Sequence, residues 1–177
     1  MALIFILTLG ALNTAFSQDN TFNLKIDKNG QVIWQKIFDT DLNFSELINK
    51  VKMSGNVLNI ENTENSIFGE MRRLECDYIG AGYKRAGVAI SILANDLIGY
   101  VNIDFKEGKY RVTLKNLKYI HKMNTPVGRQ DQITDFDSTV LKNGKFRKRL
   151  NSNHQAEIID YTFTKAFSFE KEETNEW

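Results

Sequence analysis

Four side chains in the second half of the sequence have types that could support catalysis or hold a cation. They are His121, Asp131, Asp135 and Asp137. Closely spaced carboxylates are ligands for calcium, and a carboxylate beside a histidine can act in acid–base hydrolysis. The calcium-loop template fails from Asp135, because Val140 stands where it needs glycine and Phe146 where it needs glutamate. An irregular cation site, or a hydrolase site in which one aspartate meets His121, stays open.

A basic segment follows the aspartates. Five of the eight residues from 142 to 149 are basic: Lys142, Lys145, Arg147, Lys148 and Arg149. In a cytoplasmic protein this run would suggest nucleic acid, but the net charge of +1 gives the whole chain no general attraction to polyanions. Behind a secretory signal we expect an anionic glycan, a lipid headgroup or an acidic protein as partner, and no nucleic acid. A solvated hairpin tip is the alternative.

The other reactive residues favour structural roles. Cys76 is the single thiol, and the alternation in its neighbourhood predicts a small core residue on a strand. The glycines between Gly80 and Gly87 match no phosphate-binding pattern and predict a flexible connection between strands. His154 lies in the first turn of a predicted helix. No HExxH, CxxC or GxSxG motif occurs, so we expect no catalytic site, no metal and no cofactor, although a carboxylate pair assembled by the fold stays open.

The first seventeen residues predict a secretory signal peptide. Leu3 to Leu12 is an apolar run that is too short to span a bilayer, which needs about 20 residues. Ala15-Phe16-Ser17 has the small-x-small pattern of a cleavage site, so we expect cleavage after Ser17 and a periplasmic or secreted product. An uncleaved anchor is the alternative. We expect residues 18–170 to form one domain without a transmembrane segment, followed by a charged tail at 171–177.

The stretch from Val88 to Ile120 predicts three consecutive antiparallel strands that organise the domain. A turn at Glu107-Gly108 puts apolar residues opposite each other on one face and a charge pair on the other. The resulting pairs are Phe105 with Tyr110, Asp104 with Arg111, Ile103 with Val112, and Val101 with Leu114. A turn at Asn95-Asp96 would add a strand that pairs Ile90 with Val101.

Further hairpin and strand signals surround this meander. A loop that contains Gly30 as a bulge would pair Ile26 with Val32 and give Trp34 a core position, whereas a two-residue loop would pair Ile26 with Ile33. Two more strands are predicted at 57–60 and 68–79. From 121 to 151 the alternation dissolves, and we expect a largely irregular region in which Gln132 to Leu141 is either a short strand or a loop.

Two amphipathic helices are predicted. Asn43 and Glu46 form a capping box for the first helix, which Gly55 ends. Its apolar stripe comprises Phe44, Leu47, Ile48 and Val51. Ser152 and Gln155 predict a second capping box, opening a helix whose apolar positions repeat as far as Phe167.

One end of the meander carries a second candidate binding surface. Leu93, Ile98 and Leu117 fall on neighbouring predicted strands, on the face opposite the core. They could form an exposed apolar patch for a partner or a second subunit. The alternative is a bulge at Asn116 that turns the following side chains inward.

Five sequence segments resemble one family. They are Asp27 to Gln31, Asn43 to Ile48, Gly69 to Tyr78, Gly99 to Leu114, and the signal peptide. With them the sequence is similar to a secreted domain of unknown function with a TBP-like fold, found in Gram-negative bacteria, over about residues 20–120. The resemblance implies a curved antiparallel sheet with helices against one face, and it supplies no catalytic residues.

The strand and helix signals independently predict an α+β two-layer sandwich of six or seven strands and two helices. Two functions follow as hypotheses. The first is a non-catalytic extracytoplasmic binding or assembly module that uses the helix-free sheet face or the basic segment to hold an envelope protein or glycan. The second is a hydrolase with a site between the sheet and the 121–151 region. A deep pocket of convergent polar groups would favour the hydrolase, and a shallow sheet with an apolar rim would favour binding.

Overall fold

The computed structural model describes residues 21–125 and 128–170, so the predicted signal peptide and charged tail lie outside the described residues. The large sheet comprises β1 (Leu24–Ile26), β2 (Val32–Asp39), β3 (Val57–Asn62), β4 (Ser66–Glu75), β5 (Asn95–Lys106), β6 (Lys109–Thr125) and β7 (Gly128–Asp135). The strand order is β1-β2-β6-β5-β4-β3, with β7 paired to the far end of β6, and all pairings are antiparallel.

Helices cover one face of this sheet. They are α1 (Phe44–Ser54), α2 (Ile90–Leu93), α3 (Phe136–Val140), α4 (Arg149–Ser152) and α5 (Gln155–Phe167). A separate hairpin of β8 (Leu141–Lys142) and β9 (Lys145–Phe146) lies between α3 and α4. Apolar residues of α1, α5 and the covered sheet face share one buried core, so the α+β two-layer sandwich predicted from the sequence is confirmed.

The predicted hairpin of β5 and β6 is confirmed in every pair. Ile103 lies opposite Val112 and Val101 opposite Leu114, and these side chains are buried in the core. On the other face Arg111 Nη2 lies 2.7 Å from Asp104 Oδ2. The register is determined because a slip of one residue would expose the whole apolar row.

The predicted turn at Asn95-Asp96 is wrong. The segment before it forms the single helical turn α2, whose Ile92 is buried while Ile90 is 77% exposed. The partner of β5 on that side is β4, which places Ile67 opposite Ile103. The apolar run before Asn95 is short, so its spacing fits a helix and a strand equally. The longer strand β4 pairs with β5 in its place.

The predicted first hairpin and first helix are confirmed. Ile26 pairs with Val32, and the side chain of Trp34 is buried against α5, with its ring 5.5 Å from that of Phe163 in an edge-on contact. In α1, Asn43 Oδ1 accepts from the backbone N–H of Glu46, and the Glu46 carboxylate accepts from that of Asn43. The helix ends at Gly55, which adopts φ +65°.

The capping box predicted at Ser152 and Gln155 is wrong. Ser152 closes the short helix α4 by donating to Arg149 O, and His154 in the left-handed region (φ +54°) precedes α5. Gln155 is instead buried, and its Nε2 donates to Tyr119 Oη over 2.7 Å. The Gln155 side chain therefore bonds a residue distant in sequence and does not cap the helix as the local pattern predicted.

The expectation of a largely irregular 121–151 region is also wrong. β6 continues to Thr125 and pairs with β7, and three short helices or strands follow before α4. β7 lacks an apolar alternation because it lies at the sheet edge, where polar residues are tolerated on both sides. The sequence pattern therefore carried no strand signal there.

Cys76 is a core residue, as predicted, although it lies just after β4 and not within it. Its side chain is 3% exposed, and burial raises the pKa of the thiol to about 12. The glycine-containing segment that follows forms turns and a short 3-10 helix at Arg85–Gly87. Tyr83 anchors this segment to α5 through a hydrogen bond from its hydroxyl to Glu157.

Candidate functional site

The helix-free face of the sheet carries a groove of about 400 Å³. Its floor is formed by β4 and β5, with β3 and β6 on either side. We call it the sheet groove, and it is lined by Asn59, Glu61, Phe68, Gly69, Glu70, Tyr100, Val101, Asn102, Thr113 and Lys115. The volume falls within the range of small-molecule sites, about 300–1,000 Å³.

Two aromatic rings are exposed in the sheet groove. Phe68 is 41% exposed and Tyr100 is 54% exposed. In the ladder between β4 and β5, Phe68 lies opposite Asn102 and Glu70 opposite Tyr100, so the two rings are diagonal neighbours. Diagonal side chains on adjacent strands lie about 7–8 Å apart, within reach of one ligand. The rings are held on rigid strands and present apolar surface to solvent.

Polar groups surround these rings. Asn102 Nδ2 donates to Asp104 Oδ1 over 3.2 Å, whereas Asn102 Oδ1 is buried and has no hydrogen-bond partner among the described residues. Burial alone would raise the pKa of Asp104, but hydrogen bonds from Arg111, Ser66 and Asn102 together hold that pKa below its ordinary value. The carboxylate therefore stays ionised and fixes the Asn102 amide from one side.

The groove has a second planar polar pair at its β3 side. Asn59 Nδ2 donates to a carboxylate oxygen of Glu70 over 3.2 Å, and both side chains are exposed. Asn59 adopts φ +52° where the pairing of β3 and β4 shifts register, which tilts its side chain out of the regular strand alternation. A Cβ on Gly69 would lie 2.5 Å from Val57 Cγ1, so only glycine allows β3 to approach here.

The bulge that the sequence predicted at Asn116 is present. Asn116 has φ +50°, and the register between β5 and β6 shifts beside Gly99, where a Cβ would lie 2.9 Å from Lys115 O. Leu117 is consequently 2% exposed and lies in the core, and Leu93 packs against the core too. Ile98 alone remains on the helix-free face, so the exposed patch of Leu93, Ile98 and Leu117 is not formed.

The aspartates of the predicted hydrolase site are not brought to His121. Asp131 lies on the helix-free face, where its carboxylate is 2.6 Å from Arg73 Nη1. Asp137 accepts from the backbone N–H of Val32 at 3.3 Å, and burial raises its pKa. Asp135 is exposed opposite Lys118. Among the described residues no group of three metal-ligating side chains converges.

His121 instead lines a separate cleft of about 410 Å³ on the covered face, between the sheet and the 121–151 region. We call it the polar cleft. His121 Nδ1 lies 3.2 Å from Asn95 Oδ1, and Asn95 Nδ2 donates to Ser91 O. Gln132 and Thr134 of β7 face the same cleft as their cross-strand neighbours His121 and Tyr119. The cleft that the sequence hypothesis required therefore exists, but with amides and hydroxyls in place of the aspartates.

The basic segment forms the β8–β9 hairpin and the start of α4. Its tip, Asn143-Gly144, adopts positive φ at both residues, which matches the twist of a tight hairpin. Arg147 Nε donates to Leu141 O over 2.8 Å, and Arg149 donates to Thr139 O. Both arginines donate to the backbone of this segment, but only Arg147 is half-buried. Arg149 is exposed to solvent, as are the three lysines Lys142, Lys145 and Lys148.

Sequence reasoning missed the sheet groove. The available signal was the outward position of Phe68 and Tyr100, each next to an inward apolar residue on its strand. That signal is weak, because a single exposed aromatic residue on a strand is ordinary. Only the pairing of β4 with β5 makes the two rings neighbours.

No protein-family model matches the sequence, and no curated protein matches it. Two solved structures are similar to the chain. One is a TBP-like protein from Parabacteroides distasonis ATCC 8503, with a TM-score of 0.48, 12% sequence identity, and coverage of 80% of this chain and 93% of that chain. The other is a DUF4468 family protein from Bacteroides ovatus ATCC 8483, with a TM-score of 0.41, 12% identity, and coverage of 85% and 92%.

The two-layer architecture itself follows from the strand pairing and the shared core of this chain. None of the helices in the described part of the chain combines the length and the hydropathy that a bilayer crossing requires.

Proposed function

We propose that the protein is a non-catalytic extracytoplasmic binding module that holds an uncharged segment of an envelope glycan in the sheet groove. The observation that carries this proposal is the pair of exposed rings, Phe68 and Tyr100, on adjacent strands of a rigid sheet. The extracytoplasmic location rests on the signal peptide predicted from the sequence.

The chemistry of the groove supports a sugar as ligand. The C–H face of a pyranose is apolar and packs flat on an aromatic ring, while its hydroxyls need planar groups that accept and donate together. Asn59, Glu70 and Asn102 present such groups around the rings.

The charges of the groove favour an uncharged ligand over an anionic one. Glu61 and Glu70 line it together with Lys115, so the groove as a whole offers no excess of positive charge. An anionic sugar would meet two carboxylates, and close like charges destabilise a complex. An anionic partner for the protein would therefore bind elsewhere.

The proposal is tested by calorimetric titration with N-acetylchitotetraose and maltotetraose. A glycan array of uncharged oligosaccharides extends the search for a ligand. For the oligosaccharide that binds the wild-type protein, we expect Tyr100→Ala to weaken binding about tenfold or more, which corresponds to roughly 1.4 kcal/mol. Tyr100→Phe keeps the ring and is expected to retain most of the affinity. Ile37→Ala removes an exposed apolar side chain from the same face outside the groove and serves as the matched control.

Four results would overturn the proposal. One is that no uncharged oligosaccharide binds, and another is that Tyr100→Ala and Ile37→Ala weaken binding equally. The third is cleavage of the bound oligosaccharide, detected by chromatography of the incubated sample. Cleavage would make the groove an active site with Glu61 and Glu70 as its acids. Self-association lost in Tyr100→Ala would assign the groove to a second copy of the chain.

A further inference from the structure

We propose that the polar cleft is a second binding site, specific for a small organic anion that carries a carboxylate or a phosphate group. The cleft lies on the covered side of the sheet, between α2, the β6–β7 ribbon and the start of α5. It is separated from the sheet groove by the sheet itself, so the two sites are independent.

The charge of the lining selects an anion. Arg149 supplies a permanent positive charge and His121 an imidazole ring, and none of the described residues that line the cleft is an aspartate or a glutamate. The other polar members are hydroxyls and amides, which donate hydrogen bonds to oxygens. Donors without competing carboxylates favour an ionised ligand, because charge-assisted hydrogen bonds are the stronger class.

Two of the donors are oriented by buried contacts. Gln155 is 5% exposed and its Nε2 donates to Tyr119 Oη, so the Tyr119 hydroxyl accepts on that side and keeps its own proton to donate. Burial raises the pKa of Tyr119, which keeps the hydroxyl protonated. Among the described residues no acceptor for that proton is recorded, and a ligand oxygen in the cleft can take this position.

The basic members are held in place as well. Asn95 Nδ2 donates to Ser91 O, so its Oδ1 faces His121 and accepts a hydrogen bond from Nδ1–H. The ring nitrogen left for a ligand is Nε2, which donates to an anion when the imidazole carries both protons and accepts a hydrogen bond when it carries one. Arg149 is anchored by its bond to Thr139 O, and a guanidinium has further N–H groups for a carboxylate or phosphate.

Calorimetric titration of the Tyr100→Ala variant, which has lost an aromatic ring of the sheet groove, tests the inference with three ligands built on one pyranose ring: glucose 6-phosphate, glucuronate and glucose. We expect one or both anions to bind and glucose to bind at least tenfold more weakly. The comparison of the two anions decides between phosphate and carboxylate. Gln132→Glu places a carboxylate at an exposed position of the cleft without removing a recorded contact, and it is expected to weaken anion binding at least tenfold.

The controls distinguish the cleft from other surfaces. Asn62→Asp adds the same charge on the distant strand β3, and Lys145→Ala removes a charge from the basic hairpin; both are expected to leave anion affinity unchanged. Equal binding of glucose, no binding of either anion, or full binding by Gln132→Glu would each overturn the inference. Tyr100→Ala tests the sheet groove alone and is expected to leave anion binding intact, so the two proposals fail separately.

Discussion

Tyr110 carries the hydroxyl that ties the end of α5 to the sheet. Its side chain is 1% exposed, donates to Phe167 O over 2.9 Å, and accepts from Phe169 N over 2.7 Å. Tyr110→Phe removes one oxygen and leaves two backbone groups without these partners. The ring remains, and with it the stacked contact to Phe38 at 5.1 Å, so the loss isolates the hydrogen bonds.

The magnitude follows from burial. A buried polar group that loses its partner costs about 1–3 kcal/mol, so two such groups would cost about 2–6 kcal/mol. Both groups lie at the C-terminal end of α5, where the chain can adjust and recover part of the lost hydrogen bonding, so the expectation is at the lower end, about 2–3 kcal/mol. For a domain of this size the melting temperature should fall by roughly 4–12 °C.

Chemical denaturation and thermal melting followed by tryptophan fluorescence measure this change, because the indole of Trp34 packs against α5. Tyr100→Phe is the matched control, since it removes the hydroxyl of an exposed tyrosine and should shift the free energy of unfolding by less than about 0.5 kcal/mol. Equal stability of Tyr110→Phe and wild type would refute the docking of α5 through this hydroxyl.

The same variant has a pH signature. Burial raises the pKa of Tyr110 from 10.0 to about 12, because the ionised form is poorly solvated, and the hydrogen bond from Phe169 opposes this shift only in part. The hydroxyl therefore contributes its stability in full below pH 10 and loses it as the pH rises through 12. The difference in stability between wild type and Tyr110→Phe should shrink over that interval.

Three further predictions test the fold around the sites. Gly69→Ala should destabilise the protein by about 1–3 kcal/mol in urea denaturation, because its Cβ would overlap Val57 Cγ1. Arg147→Ala should lower the melting temperature, since Leu141 O loses its donor, whereas Lys145→Ala should leave it unchanged; equal effects would contradict the division of the basic segment. Cys76 should resist a thiol reagent at pH 8 until denaturant is added, because its pKa is raised to about 12; rapid labelling of the native protein would contradict its burial.

Local sequence pattern determined the elements whose side chains repeat without ambiguity. The register of β5 with β6 and the capping box at Asn43 follow from spacing, because each alternative would expose an apolar row or leave backbone donors unpaired. The core position of Trp34 was one of two alternatives, which differed in the length of the first hairpin loop. The Asn116 bulge followed in the same way, as one of two alternatives, from a slip in the alternation.

Tertiary structure alone decided the pairings of β4 with β5 and of β6 with β7, on which the two candidate sites depend. A short apolar run before Asn95 fits a helix and a strand equally, and only the ladder that β4 offers settles it as the turn α2. Phe68 and Tyr100 become one surface through that same ladder, and Gln155 leaves its predicted cap because Tyr119 offers it a buried partner. Contacts between residues distant in sequence leave no periodic trace in the chain, so these features were beyond sequence reasoning.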